Sequence, residues 1–157
     1  MAQHDRYPGE RRYPRSTASV LGHPLHPMLV PFPIVCFIGA LLSDITYTNT
    51  AHMQWANFSV WLLTFGLIGG ALALITGMID FLGDRAVRSV TAAWVHGIGN
   101  GIVMLLALWN VFVHSRDAWT SVVPTGLTLS VVTVVLMAVT GWLGGTLVYR
   151  HRVGVRN

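Results

Sequence analysis

Four long apolar runs constrain the fold of this chain more than any other feature of its sequence. They cover approximately residues 28–47, 58–81, 91–114 and 122–149. Each is near or above the ~20 residues that an α-helix needs to cross ~30 Å of hydrocarbon. Because short segments connect the runs, the simplest arrangement is an up-down-up-down antiparallel bundle. We therefore predict an all-α membrane protein with four transmembrane helices.

The composition supports this prediction. Of the 157 residues, 53% are hydrophobic and only 10% are charged, whereas a soluble domain carries about 25% charged residues. A chain of this size cannot bury so much apolar surface in water, but a lipid bilayer can cover it. The net charge of +4 comes from arginines at the ends of the apolar runs, which does not indicate nucleic-acid binding. The single cysteine, Cys36, excludes an internal disulfide.

The placement of arginine predicts the orientation. Nine of the ten arginines lie within residues 1–21, 82–90 and 150–157, and only Arg116 lies in another loop. By the positive-inside rule both termini are cytoplasmic, as expected of a multi-pass protein of a bacterial inner membrane. We predict a flexible cytoplasmic tail over residues 1–21, the four-helix domain over 22–150 and a cytoplasmic tail over 151–157.

A proline-rich segment precedes the first span. It has prolines at positions 24, 27, 31 and 33, which no regular helix interior tolerates. We predict an ordered segment in which Pro27 opens a short helical turn. His23 and His26 each precede a proline, which favours extended backbone. Three residues of polyproline helix span ~9 Å, so the two histidines are predicted to serve different roles unless a tight turn brings them together.

Polar residues are predicted to gather at the cytoplasmic ends of the spans. They are His23, His26, Asp80, His96, Asn100 and His151. Ionisable groups within a membrane are costly and point to function. His96 is the strongest candidate because it lies inside an apolar span, and Asn100 follows one turn later on the same helical face.

Two members of this group also have ordinary structural interpretations. Asp80 can pair with Arg85 or Arg88 at the membrane interface. His151 can belong to a basic anchor that flanks the fourth span.

The opposite ends of the spans are less promising. His114 lies eighteen residues after His96 on the same face, about 27 Å away, which would suit a second ligand site. However, polar residues follow His114 at once, so we interpret it as an interfacial residue. Asp44 and His52 have the same interpretation.

Small residues recur with four-residue spacing on three spans. The pairs are Gly66 and Gly70, Gly97 and Gly101, and Gly141 and Gly145. Such pairs either allow close packing within the bundle or form a homodimer interface.

Two motifs near the ends of the chain resemble an uncharacterised bacterial family of four-span membrane proteins, domain of unknown function 2231. They read Gly22-His-Pro-Leu-His-Pro-Met-Leu-Val-Pro-Phe-Pro33 and Gly141-Trp-Leu-Gly-Gly-Thr-Leu-Val-Tyr-Arg-His151. The resemblance covers about residues 20–155 and includes Asp80, His96 and Asn100. Thr146 stands where that family usually has a glutamate. The resemblance implies no activity, but relatives are often linked to Rieske, cytochrome c or sugar-dehydrogenase modules, which hints at electron transfer.

The first functional hypothesis is a redox or electron-transfer subunit that binds b-type haem or a metal ion at the cytoplasmic side. The sequence has no Cys-x-x-Cys-His motif, so a haem would be non-covalent and held by histidine. His96 would be one axial ligand and His26 or His23 the other. The remaining candidates would orient ligands, bind a quinone headgroup or, for the arginine, pair a haem propionate: Asp80, Asn100, His151 and Arg150. A metal ion would take His26, Asp80 and His96.

Two alternatives stay open. The histidines and aspartates suit a proton or ion relay. The chain also suits a non-catalytic anchor or assembly subunit of a respiratory-type complex, with the histidine–proline segment docking a redox partner protein.

Overall fold

A computed structural model describes residues 14–155. Within this range the elements in chain order are β1 (Ser19–Val20), β2 (His23–Pro24), α1 (Leu25–Leu29), α2 (Pro31–Thr50), α3 (Met53–Gly83), α4 (Arg85–Arg88), α5 (Thr91–His114), α6 (Trp119–Val122) and α7 (Thr125–Tyr149). Four helical stretches are long and apolar enough to cross a membrane. The predicted all-α membrane fold is therefore confirmed.

The four long helices form a ring in which each packs on its two neighbours in the chain order α2, α3, α5, α7. Short connections reverse the direction at each step, so the bundle is antiparallel. Its middle is filled by apolar side chains from all four helices: Phe37, Ala40, Leu63, Val103, Ala107 and Met137. The outward faces are also apolar, with large side chains such as Leu105 and Phe112 exposed. Lipid, which is itself apolar, can cover these faces, whereas water would not.

The helices differ from the predicted spans at their ends. The second span is predicted to begin at residue 58, but α3 begins at Met53. α2 continues to Thr50 and ends where Ala51 adopts a left-handed conformation, with φ 53°. Hydropathy marks the part of a helix that lies in hydrocarbon. Backbone hydrogen bonding extends the helix beyond that part until a residue leaves the helical region.

The proline-rich segment folds as a hairpin followed by helix. β1 and β2 pair antiparallel with Val20 opposite His23. The two residues between them, Leu21 and Gly22, have φ of 50° and 82°, as a two-residue hairpin turn with the twist of its strands requires. The turn therefore requires a residue with positive φ at position 22, and glycine adopts this conformation without strain. Within the segment that the sequence assigned to the tail, residues 15–18 contact the end of α3, while residues 1–13 lie outside the described range.

The prolines occupy first turns of helices. Pro27 is the third residue of α1, and Pro31 and Pro33 are the first and third residues of α2. Backbone N–H groups in a first turn have no partner within the helix, so proline loses no bond there. His23 is extended as predicted, but His26 is helical in spite of the following proline. The His26 side chain therefore points in a direction different from the one that extended backbone would give it.

The glycine pairs have two different environments. A Cβ on Gly66 would lie 2.5 Å from Phe37, and one on Gly70 would lie 2.5 Å from the Met104 sulfur. These two glycines allow close packing within the bundle. Among the described residues, no neighbouring heavy atom lies within 4 Å of a Cβ built on Gly97 or Gly101. That pair faces outward, and a homodimer there stays a prediction.

Candidate functional site: two polar centres

Polar side chains meet at both ends of the bundle. The two-histidine centre consists of His26, His96 and Asn100 and lies at the end predicted to be cytoplasmic. The aspartate–histidine centre lies at the opposite end and consists of Asp44, Ser59, Asn110, His114 and Ser130. The apolar middle of the bundle separates the two centres.

Each ring of the two-histidine centre is held by a backbone carbonyl of a neighbouring helix. Nδ1 of His26 lies 2.7 Å from the oxygen of Ala73 on α3. Nδ1 of His96 lies 2.8 Å from the oxygen of Thr140 on α7. A carbonyl oxygen can only accept, so Nδ1 donates in both rings, and in a neutral imidazole Nε2 then keeps its lone pair. Histidines that bind metals are oriented in this way.

A glycine gives each histidine access to its carbonyl. A Cβ on Gly77 would lie 2.9 Å from Nδ1 of His26, and one on Gly144 would lie 2.9 Å from Cε1 of His96. Each glycine stands four residues after the accepting carbonyl. A helical side chain covers the turn that precedes it, so glycine at this position uncovers the carbonyl. The same device therefore occurs twice in the bundle, once for each histidine.

The two rings contact each other. Their centroids are 6.1 Å apart and their planes are nearly perpendicular, at 86°. The amide nitrogen of Asn100 lies against the His96 ring, 3.3 Å from Nδ1 and 3.5 Å from Nε2, and donates to the His96 carbonyl at 2.8 Å. The Thr140 hydroxyl approaches the Asn100 oxygen at 3.3 Å. Two imidazoles from different elements thus converge, as the sequence predicted for His96 with His26.

Asp80 does not join the histidines. Its carboxylate accepts from the Ser16 hydroxyl at 2.9 Å and from the Ala18 amide at 2.7 Å. Asp84 accepts from the Arg15 amide at 3.0 Å. These two aspartates bind the segment before β1 to the end of α3. Among residues 14–155, Asp80 therefore has neither the arginine partners nor the metal-ligand position that the sequence suggested.

Within residues 14–155, no three His, Cys, Asp or Glu side chains form a group that could hold a metal ion. The predicted set of His26, Asp80 and His96 is thus only partly assembled. His23 and Arg150 are exposed and His151 is half-buried. None of these three side chains makes a hydrogen bond or ring contact in the described part of the chain.

The aspartate–histidine centre is more deeply buried and joins all four long helices. Asp44 on α2 and the His114 side chain on α5 are fully buried, with Oδ1 and Nε2 2.8 Å apart. Ser59 on α3 donates to Oδ1 and Ser130 on α7 donates to Oδ2, both at 2.5 Å. Asn110 donates to the Ser130 hydroxyl at 2.8 Å. Asp44 and His114 are therefore buried inside the bundle, which their interpretation as interfacial residues did not include.

The hydrogen-bond geometry of this centre calls for one hydrogen between its two ionisable groups. Nδ1 of His114 lies 3.0 Å from the Asn110 carbonyl oxygen and must donate to it. Nε2 then faces a carboxylate oxygen, and their short separation requires one hydrogen between them. The pair is either imidazolium with carboxylate or neutral imidazole with carboxylic acid. Both forms have zero net charge, which limits the cost of burial in a membrane.

One signal in the sequence could have indicated this centre. Asn110 and His114 are four residues apart and therefore share a helical face, and Asn110 lies within an apolar span. Ser59 and Ser130 give no such signal, because small polar residues are common at helix contacts in membranes.

The four spanning helices, with polar centres inside the bundle, define an integral membrane protein of the four-helix class. The chain belongs to the family described as predicted membrane protein (DUF2231), whose model matches residues 22–157. The match begins at the turn glycine of the hairpin and includes both centres. No curated protein and no solved structure gave a significant match. The family description assigns no activity.

Proposed function

We propose that the protein is a small membrane redox subunit in which His26 and His96 hold a b-type haem or, less favourably, a metal ion. The observation that carries the proposal is the matched pair of Nδ1–carbonyl hydrogen bonds, which presents two Nε2 lone pairs from facing elements. The proposal places this end of the bundle on the cytoplasmic side of a bacterial inner membrane, where a quinone or a redox protein would exchange electrons with it.

The number of ligands favours haem over a bare ion. A protein site for zinc supplies three or four ligands, but the described residues bring only two imidazoles together, with no third histidine or carboxylate. A porphyrin supplies four nitrogens of its own, so the protein would need to add only one or two ligands. Histidine commonly fills this role. The donor set therefore fits haem better.

An open apolar groove runs along the outer surface between α3 and α5. Its volume is about 660 Å³, and its lining includes Leu67, Leu74, Ile98, Gly101, Ile102 and Leu105. Neither His26 nor His96 lines this groove, and Ile98, two residues after His96, lies on another face of α5. The groove therefore adds no support for a ligand beside the rings. Arg150, exposed at the end of the bundle that holds the two histidines, suits a propionate.

In this proposal each part of the chain has a stated task. The Ala73 and Thr140 carbonyls fix the tautomer and direction of the rings, and Asn100 restrains the His96 ring. Haem, when bound, would supply one-electron transfer, and its potential would respond to the hydrogen bonds at the Nδ1 atoms of the two histidines.

The test is an absorption spectrum of the full chain, purified gently in detergent, in the oxidised and dithionite-reduced states, with iron and pyridine haemochrome assays on the same sample. We expect a Soret band that His26→Ala and His96→Ala each abolish. His23→Ala is the matched control, because His23 lies in the same segment with its side chain exposed, and it should retain the band.

Two outcomes would overturn the proposal. A colourless protein without stoichiometric iron or other metal, produced in cells supplied with haem precursor, would remove the redox centre. Retention of the band in His26→Ala and His96→Ala, as in His23→Ala, would show that any bound haem uses other ligands. The first result would favour the relay or the anchoring subunit.

A further inference from the structure

We propose that Asp44 and His114 form a proton-binding site that exchanges its proton with the aqueous phase at the end of the bundle opposite the two-histidine centre. The site would also hold a water molecule on Asn110 and Thr133. This inference does not rest on the proposed haem, since it uses other residues at the other end of the molecule.

The hydrogen-bond pattern requires the proton. Both side chains of the pair have zero exposure. Every donor around Asp44 comes from a side chain: two serine hydroxyls and the imidazole. Because the serines supply one hydrogen each and Nδ1 of His114 is committed to a carbonyl, the remaining proton lies between Oδ1 and Nε2. It can shift between the two groups without a change of charge.

Two buried atoms next to the pair point to a bound water. Asn110 Oδ1 and Thr133 Oγ1 are buried without a hydrogen-bond partner among the described residues. Both flank Ser130, since Asn110 donates to its hydroxyl and Thr133 follows it by three residues on α7. Buried polar atoms are almost always paired, and a water can satisfy an acceptor and a hydroxyl together. Such a water would extend the network beyond Asp44.

The position of the pair allows exchange on one side only. His114 is the last residue of α5, and the next three residues are exposed. The pair therefore lies close to the aqueous phase at this end, beneath the buried cluster of Tyr47, Ala56 and Val122. In the other direction a proton meets the apolar side chains of Phe37, Leu63 and Val103, so exchange across the bundle is not expected.

His114 is the only titratable group in the described chain that bonds to Asp44. α3 and α7 contribute only hydroxyls, from Ser59, Ser130 and Thr133. Other titratable or charged side chains at this end are Tyr47, His52, Arg116 and Asp117. Tyr47 donates to the Met53 sulfur at 3.5 Å, and the last three are exposed.

The test is infrared difference spectroscopy of the full chain in nanodiscs, with ¹³C-labelled aspartate, over the pH range in which circular dichroism shows the fold intact. We expect an aspartate band, either of the carboxylic acid or of the carboxylate bonded to His114, that changes reversibly with pH. Asp44→Asn should lose this band. The matched control Asp117→Asn, in the exposed loop after α5, should keep it.

A second pair of variants applies if Asp44→Asn does not fold. Ser130→Ala removes the donor to Oδ2 and should shift the frequency of the band, whereas Ser115→Ala, at an exposed serine of the same end, should not. A band that is absent, that does not respond to pH in the wild-type chain, or that ignores both Asp44→Asn and Ser130→Ala would overturn the inference. Asp44 and His114 would then have only a structural role, in which they hold the helices together.

Discussion

The two polar centres form hydrogen bonds to their histidines inside an apolar bundle in different ways. In the two-histidine centre each Nδ1 bonds to a backbone carbonyl, and the counterpart nitrogen of each ring is left for a ligand. In the aspartate–histidine centre, side chains from three other helices bond to the Asp44 carboxylate, and both nitrogens of His114 are used. The first arrangement suits binding, whereas the second suits the fixing of helices and the retention of a proton.

This difference determines which substitutions each centre tolerates. A backbone carbonyl stays in place when its own side chain changes, so the two-histidine centre depends on the glycines that uncover the carbonyls. The aspartate–histidine centre depends on the side chains themselves. The comparison leads to four predictions, which follow in order of decreasing effect.

Asp44→Ala should have the largest effect on stability. It leaves His114 buried without its hydrogen-bond partner and removes the acceptor for two serines. Breaking a buried pair on one side costs about 3–5 kcal/mol. We expect a decrease of this size in the free energy of unfolding, measured by denaturant titration in detergent. Asp117→Ala, at an exposed position, should change it by less than about 0.5 kcal/mol, and equal effects of the two variants would contradict the central role of Asp44.

Gly144→Ala should disturb the two-histidine centre without removing either ligand. Its Cβ would lie 2.9 Å from the His96 ring, and such overpacking costs about 1–3 kcal/mol. Gly141→Ala is the control on the same helix, because its Cβ meets no neighbouring atom within 4 Å, and it should stabilise the helix by about 0.5–1 kcal/mol. Thermal unfolding of both variants measures the difference. Similar melting temperatures would mean that His96 does not need the glycine.

Asp80→Asn should loosen the segment before β1 and leave the histidines in place. Hydrogen bonds to a charged group contribute about 1.5–3 kcal/mol, so local opening should become about tenfold more frequent or more. Hydrogen exchange of the amides of residues 15–24 measures this effect. The Soret band expected for the redox proposal should persist, and its loss would place Asp80 in the ligand site after all.

Thr140→Val should have the smallest effect. The variant removes the hydroxyl that approaches Asn100 at 3.3 Å but keeps the carbonyl that holds His96. Side-chain hydrogen bonds between membrane helices contribute about 0.6 kcal/mol on average, so we expect a loss of that size or less in unfolding measurements. A loss comparable to that of Asp44→Ala would remove the distinction between backbone-held and side-chain-held centres.

Much of the fold could be predicted from the sequence, because hydrophobicity alone decides that a run of about 20 apolar residues spans a bilayer. The site was predicted only in part. His96 and His26 were candidates because ionisable groups near membranes are costly, and the structure brings their rings together. The helical conformation of His26 was not predicted, since the local preference before Pro27 is overridden by hydrogen bonding and by the packing of α1 on α3.

The sequence by itself determined the membrane class and the four spans, since both depend on composition and length. It also excluded the four prolines of residues 24–33 from a helix interior and assigned Pro27 to a short helical turn. Only the tertiary structure decided which polar groups meet. Asp44 and His114 are seventy residues apart, and nothing in their local sequence distinguishes a buried pair from two interfacial residues. Their pairing results from the antiparallel order, which brings the end of α2 beside the end of α5 and the starts of α3 and α7.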